Sequence, residues 1–229
     1  MVNALFFDLT DTLQEFDWSK QWKLLVPIVG KELKHDIDGE VFRQKYQQVY
    51  ESYRLGWISS DFEFFDLLFK QLGLNASKRQ ILNIVKKHLE IRKDFTWLPK
   101  DYKKTLQALR KDFGLAVVSS GVAPWGYYDF KRIFGFDFKK DFDLVLFSSE
   151  QGFLKESGKL FELALKKFKL KPRDAAFVGN SYNDDVLLAK KFGLKTVFLN
   201  KKREPKGKSD FEISELCELL KISEALKKA

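Results

Sequence analysis

The sequence predicts an α/β protein: a doubly wound parallel sheet whose first strand is separated from the others by an inserted helical domain. Three observations carry this prediction. Short, nearly continuous apolar runs recur at Ala4–Phe7, Leu115–Val118, Leu144–Phe147, Ala175–Val178 and Thr196–Leu199, each bounded by a turn signal. Runs of that length without polar alternation suit strands buried on both faces of a parallel sheet. The helical patterns "APWGYYDFKRIFG", "GKLFELALKKFKL" and "DDVLLAKKFG" lie between the later runs, so strand and helix alternate through residues 101–220 as crossover connections require. Finally, about a hundred residues divide the first run from the second, far more than one crossover helix needs.

The elements follow in order. The first run ends in "DLTDTL", an Asp with a Thr-Asp-Thr turn behind it. Residues 15–95 then read as four amphipathic helices, "WSKQWKLLVPIVGKELK", "GEVFRQKYQQVYESYRLG", "SSDFEFFDLLFKQLG" and "ASKRQILNIVKKHLEIRK", punctuated by Gly56, Gly73 and Asn75. The expected division is an α/β core domain at 1–14 and 96–229 and a helical domain at 15–95. The aromatics Trp22, Tyr46, Tyr50, Tyr53, Phe64 and Phe65 fall at helical spacing and read as that domain's core and its contact with the sheet. Pro172 ends one later helix, and Gly193 closes the last before the fifth run.

Composition narrows the function. With 229 residues, 45% hydrophobic and 23 Phe, the chain can bury a sizeable core. A single cysteine excludes an intramolecular disulfide, and two histidines supply little for histidine-based metal or triad chemistry. The net charge of +9 comes from lysines spread along helix faces, the usual solvated side of an amphipathic helix. No aromatic RNA platform or zinc finger accompanies them, so nucleic acid is not the expected partner. A positive field would instead draw small phosphorylated molecules. The opening "MVNALFF" lacks a basic start, and no apolar stretch of about 18 residues occurs. A soluble, cytoplasmic protein with no membrane partner is therefore expected, and the sequence leaves the oligomeric state open.

Polar clusters fall where an open parallel sheet binds ligands, at the carboxyl ends of its strands. Asp8 follows the first run, Ser119-Ser120-Gly121 the second, and "NSYNDD" follows Gly179. Singly, each has a structural explanation. Asp8 could form a turn, the Ser-Ser-Gly segment could cap a helix, Lys155 could be one surface lysine among many, and Asn180 with Asp184 and Asp185 could cap and charge a helix start.

Together, and in this order, they resemble the haloacid dehalogenase superfamily. Its Asp-x-Asp-x-Thr opening matches Asp8-Leu9-Thr10-Asp11-Thr12, its strand-end Ser matches Ser119, its lysine matches Lys155, and its Gly-Asp-Ser motif with trailing acids matches Gly179-Asn180-Ser181 through Asp185. The resemblance spans the chain. It implies a Rossmann-like core with a C1-type helical cap at 15–95 and a Mg2+-dependent phosphatase or phosphotransferase acting on a small phosphorylated metabolite. It further implies Asp8 as nucleophile, Ser119 and Lys155 as phosphoryl-holding catalytic residues beside Thr10, and Ser120 and Gly121 as substrate-binding. The implied Mg2+ ligands are Asp8, the Thr10 carbonyl, Asn180 and Asp185, with Asp185 favoured over Asp184. Within the cap, Phe16, Trp18, Arg54 and Trp57 are candidates for substrate selection.

Two departures bear on activity. Thr10 stands where the family's phosphatases carry an acid/base Asp, and Asn180 stands where Asp is usual. A threonine hydroxyl cannot act as a carboxylic acid near neutral pH, which predicts hydrolysis slowed by roughly 10²–10⁴-fold. Two alternatives stay open: a metal-independent 2-haloacid dehalogenase using the same Asp8, and a non-catalytic descendant that binds phosphoryl ligands or a protein.

Overall fold

In a computed structural model, residues 1–203 and 207–229 are described; residues 204–206, inside the span expected for the α/β core, lie outside them. In chain order the strands and α-helices are β1 (Ala4–Phe7), β2 (Glu15–Phe16), α1 (Trp18–Leu33), α2 (Gly39–Arg54), α3 (Asp61–Gln71), α4 (Lys78–Ile91), β3 (Thr96–Trp97), α5 (Tyr102–Leu109), β4 (Gly114–Ser119), α6 (Ala123–Tyr128), β5 (Leu144–Phe147), α7 (Ser148–Gln151), α8 (Lys159–Phe168), β6 (Ala175–Gly179), α9 (Leu188–Lys191), β7 (Lys195–Leu199), β8 (Phe211–Ile213) and α10 (Leu219–Lys228). Among the described residues, no helix is long and apolar enough to cross a membrane.

Six strands form one parallel sheet in the order β5-β4-β1-β6-β7-β8. Successive residues alternate between its two apolar layers. Leu5, Phe7, Leu115, Val117 and Val178 lie in one, whereas Ala4, Phe6, Ala116, Val118 and Phe177 lie in the other. Both layers are apolar and buried, which is why these strands read as continuous apolar runs. The chain runs from β1 through β4 to β5 at one edge, then crosses back to β6 on the other side of β1 and continues through β7 to β8, so the sheet's switch point falls between β1 and β6, directly beside Asp8.

Helices α1–α4 have a core of their own. Leu25, Val29, Phe42, Tyr46, Phe64, Phe65 and Ile84 are buried there, and Val122 and Trp125 from the start of α6 complete it. The helix starts are locally encoded. Asp38 accepts from the Glu40 and Val41 N–H groups, and Ser77 forms a reciprocal cap with Gln80. The chain enters and leaves this bundle side by side, because β2 and β3 pair as a two-residue antiparallel ribbon.

Two expected helices differ in form. "APWGYYDFKRIFG" becomes α6 followed by a π-helical turn at Asp129–Ile133, and the helix after Gly179 begins as a π-helical turn at Tyr182–Leu187. Each wider turn carries a carboxylate fixed from outside the helix, Asp129 by Arg92 and Gln14 and Asp185 by Lys155 and the Ser181 N–H. Such insertions concentrate where a helix side chain answers to something other than helical packing.

Candidate active site

Asp8 is placed by the sheet. Its N–H donates to the Val178 carbonyl at 3.0 Å, which continues the β1–β6 pairing one residue past the strand. The Lys155 ammonium donates to Asp8 Oδ1 at 2.8 Å and to Asp185 Oδ1 at 2.5 Å. Lys155 is 4% exposed and Asp185 2%, so one buried cation is clamped between two carboxylates. Burial disfavours the ammonium, but the charges of Asp185 and Asp8 outweigh it and hold Lys155 above its ordinary pKa. Burial pushes Asp185 up as well. Lys155 opposes that rise and the nearby charge of Asp8 adds to it, because two carboxylates share a single cation. Asp8 Oδ2 makes no protein hydrogen bond among the described residues.

The other motif residues surround this centre. Ser119 ends β4 and is 3% exposed. Ser120 Oγ accepts from the Lys155 N–H at 2.9 Å, which anchors the lysine's backbone. The Gly121 carbonyl accepts from the Ser149 N–H and from Ser148 Oγ. Thr12 Oγ1 donates to Asn180 Oδ1 at 3.1 Å, joining the first and fourth motifs. Asp185 Oδ2 accepts from the Ser181 N–H at 2.9 Å, whereas Asp184 is exposed and bonded to Ser181 Oγ. Gly179 allows this packing, since a Cβ there would lie 2.4 Å from the Asp185 carboxyl carbon.

These side chains line a cleft of about 430 Å³ beneath the helical bundle, with Asp8, Thr10, Ser119, Ser120, Gly121, Lys155, Asn180 and Asp185 all in its wall. Opposite them stand Trp18, Gln47, Tyr50 and Arg54. Of the expected selectors, Trp18 and Arg54 reach the cleft. Arg54 Nε donates to the Ser120 carbonyl at 2.7 Å, and its Nη1 pairs with Glu51. Phe16 lines a small side chamber of about 40 Å³ instead. Trp57 is a correction: it is 75% exposed and lies outside both walls, because it follows the end of α2 where the chain turns into solvent. Gln47 and Tyr50 escaped the sequence reading as site residues. The available signal was their i, i+3, i+7 spacing with Arg54, which puts all three on one face of α2.

Could the site hold a metal? Among the described residues no three His, Cys, Asp or Glu side chains gather round one point. The donor set is two carboxylates, Asp8 and Asp185, completed by the Asn180 amide and main-chain oxygen. An all-oxygen set with one or two carboxylates fits Mg2+, which keeps several of its waters.

A family model for haloacid dehalogenase-like hydrolases matches residues 2–193, and the chain belongs to that family. Within it the chain is a phosphatase-like hydrolase. It is 28% identical to a glyceraldehyde 3-phosphate phosphatase of Pyrococcus furiosus over 97% of this chain and 93% of that protein. Among solved structures, a 2-haloacid dehalogenase from Pseudomonas syringae pv. Tomato superposes with a TM-score of 0.75 at 20% identity, over 98% of this chain and 99% of that one. A Bacteroides thetaiotaomicron family enzyme in complex with magnesium and inorganic phosphate superposes with a TM-score of 0.68 at 18% identity, over 92% and 97%. At these identities the two structures establish the shared fold.

Proposed function

We propose that the chain transfers the phosphoryl group of a small phosphorylated metabolite to Asp8, forming an aspartyl-phosphate that water then releases. The observation that supports this most directly is the Asp8–Lys155–Asp185 clamp at the sheet's switch point. Asp8 Oδ1 is held by Lys155, and the unbonded Oδ2 leaves one oxygen of the carboxylate for the substrate. Splitting one difficult displacement into two steps is the usual advantage of a carboxylate nucleophile. Lys155 and Ser119 bind the phosphoryl oxygens and stabilise charge as it spreads over them. Residues 15–95 act as the cap, closing the cleft through Trp18, Tyr50 and Arg54. Asp8, the Thr10 carbonyl, Asn180 and Asp185 would hold Mg2+, whose charge offsets repulsion between the carboxylate and the incoming phosphate.

Thr10 sets the rate. It lines the cleft beside Asp8 but carries no carboxyl group to protonate the leaving group or activate water, so turnover is slow for this chemistry, by roughly 10²–10⁴-fold. A three-carbon phosphate suits a cleft of 430 Å³ and is what the Pyrococcus relative's name specifies.

The test is phosphate release from glyceraldehyde 3-phosphate, p-nitrophenyl phosphate and acetyl phosphate with and without Mg2+, run beside halide release from 2-chloropropionate. Mg2+-stimulated phosphate release, abolished by Asp8→Asn, is expected. Halide release without phosphate release would assign the dehalogenase chemistry instead, and no turnover of either kind would leave a binding protein.

A further inference from the structure

Outside the cleft, the described residues contain a second buried charge cluster that the proposed chemistry does not use. Asp129 is fully buried and Arg92 is 4% exposed. Arg92 Nε donates to Asp129 Oδ1 at 2.6 Å, Arg92 Nη2 donates to Oδ2 at 2.6 Å, and Gln14 Nε2 donates to the same Oδ2 at 2.6 Å. The guanidinium also lies 5.5 Å from the Phe16 ring centre and 5.3 Å from that of Trp125. A buried ion pair is weak evidence for stability, since apolar residues of like volume often do as well, and its best-attested use is to fix register.

The three partners come from three places that must keep register for the site to work. Arg92 follows α4, the last helix of the bundle. Asp129 opens the π-helical turn behind α6 in the sheet domain. Gln14 belongs to the loop that begins at Asp8: its N–H donates to the Leu9 carbonyl at 3.0 Å, its carbonyl accepts from the Asp11 N–H at 2.5 Å, and it bridges to Thr10. Gln14, Arg92, Asp129 and Thr10 all line the same small chamber behind the cleft. The Asp129 carboxylate thus ties the end of the bundle to the loop that carries the nucleophile.

We propose that Gln14, Asp129 and Arg92 are positioning residues: a latch that seats the helical bundle on the sheet and, through Gln14, holds the Asp8–Thr10 loop in its reactive geometry. This rests on the reading of Asp8 as nucleophile. Misplacement of a reacting group by about 1 Å can cost on the order of 10²-fold, so a loosened loop is read in kcat and leaves substrate contacts intact.

The experiment compares kcat and KM for p-nitrophenyl phosphate between about pH 5 and pH 8, together with the melting temperature, in wild type, Gln14→Met and Gln14→Glu, with Asp8→Asn as control. Gln14→Met should lower kcat at least roughly tenfold with KM changed no more than about twofold. Gln14→Glu places two carboxylates in contact and should fall as far near neutral pH, and its kcat relative to wild type should recover as pH falls and the new carboxyl group takes up a proton that it can donate to Asp129 as the amide does. A purely structural contact would lower the melting temperature and leave kcat of the folded enzyme unchanged; that result in Gln14→Met or Gln14→Glu overturns the proposal. If Gln14→Met does not fold, Gln14→Glu decides: a kcat that does not fall, or that stays at a constant fraction of wild type across pH, overturns the proposal. Wild-type turnover in Asp8→Asn would instead overturn the reading of the site, whatever Gln14 does.

Discussion

Replacing Lys155 by Met removes the one cation that two buried carboxylates share. The side chain keeps most of its length and can still pack on Phe177, whose ring centre lies 5.2 Å from the ammonium. What disappears is the charge 2.8 Å from Asp8 and 2.5 Å from Asp185. Breaking a buried ion pair from one side typically costs about 3–5 kcal/mol, because the remaining charge is left without compensation. Here two like charges remain, so the upper half of that range applies. For a chain of this size about 2–4 °C of melting temperature accompanies each kcal/mol, giving a fall of roughly 8–20 °C. The assay is thermal unfolding by circular dichroism in chelator-treated buffer, followed by phosphate release with Mg2+ restored. Activity should drop by at least about 10²-fold, the usual effect of losing one group that stabilises a developing oxyanion. A variant that melts within about 3 °C of wild type and retains a third or more of its turnover would refute the clamp as the site's electrostatic centre.

Other residues give sharper or simpler readouts. Thr10→Asp supplies the missing carboxyl group and should raise phosphate release roughly tenfold or more; an unchanged or lower kcat would show that acid–base chemistry is not what limits turnover. Gly179→Ala drives a methyl group to within 2.4 Å of the Asp185 carboxyl, so Asp185 must move, and a loss of at least about tenfold in kcat is expected, against no change if Asp185 were a bystander. His88 is fully buried with neither ring nitrogen hydrogen-bonded among the described residues, and burial, aided by Arg92, holds its pKa well below 6.5. The unfolded chain therefore takes up this proton first, and stability falls as pH drops below about 6.5, by up to about 1.4 kcal/mol per pH unit. Melting curves from pH 7.5 to 4.5 should show His88→Leu less acid-sensitive than wild type; parallel pH dependences would refute the assignment.

Much of this was readable from the chain alone. β1, β5, β6 and β7 fall within a residue of the apolar runs because strands buried on both faces leave no polar alternation to blur them. The four helices of the bundle are legible through their helical apolar spacing and the Gly56, Gly73 and Asn75 punctuation between them. The β2–β3 ribbon could not be read, since two residues carry no period. Nor could the ion pairs of the clamp, which join positions 147 and 30 residues apart: the resemblance singles out Asp8, Lys155 and Asp185, but by composition alone the lysine looks like many others in a lysine-rich chain. Tyr50 was assigned to packing, and half of that is right: its ring stacks on Trp125 at 5.6 Å while the residue also lines the cleft. The Gln14–Asp129–Arg92 cluster shows the same limit, because nothing in "YYDFKRIFG" distinguishes a buried aspartate from a solvated one.

The central claim is that Asp8 carries the phosphoryl group. Acid quenching of the enzyme during turnover of acetyl phosphate with Mg2+, followed by peptide mass spectrometry, tests it without knowledge of the physiological substrate. A phosphoryl adduct on the peptide containing Asp8, lost on treatment with hydroxylamine and absent in Asp8→Asn, is the predicted result. Phosphate release that continues in Asp8→Asn, with no adduct on that peptide in wild type, would contradict it.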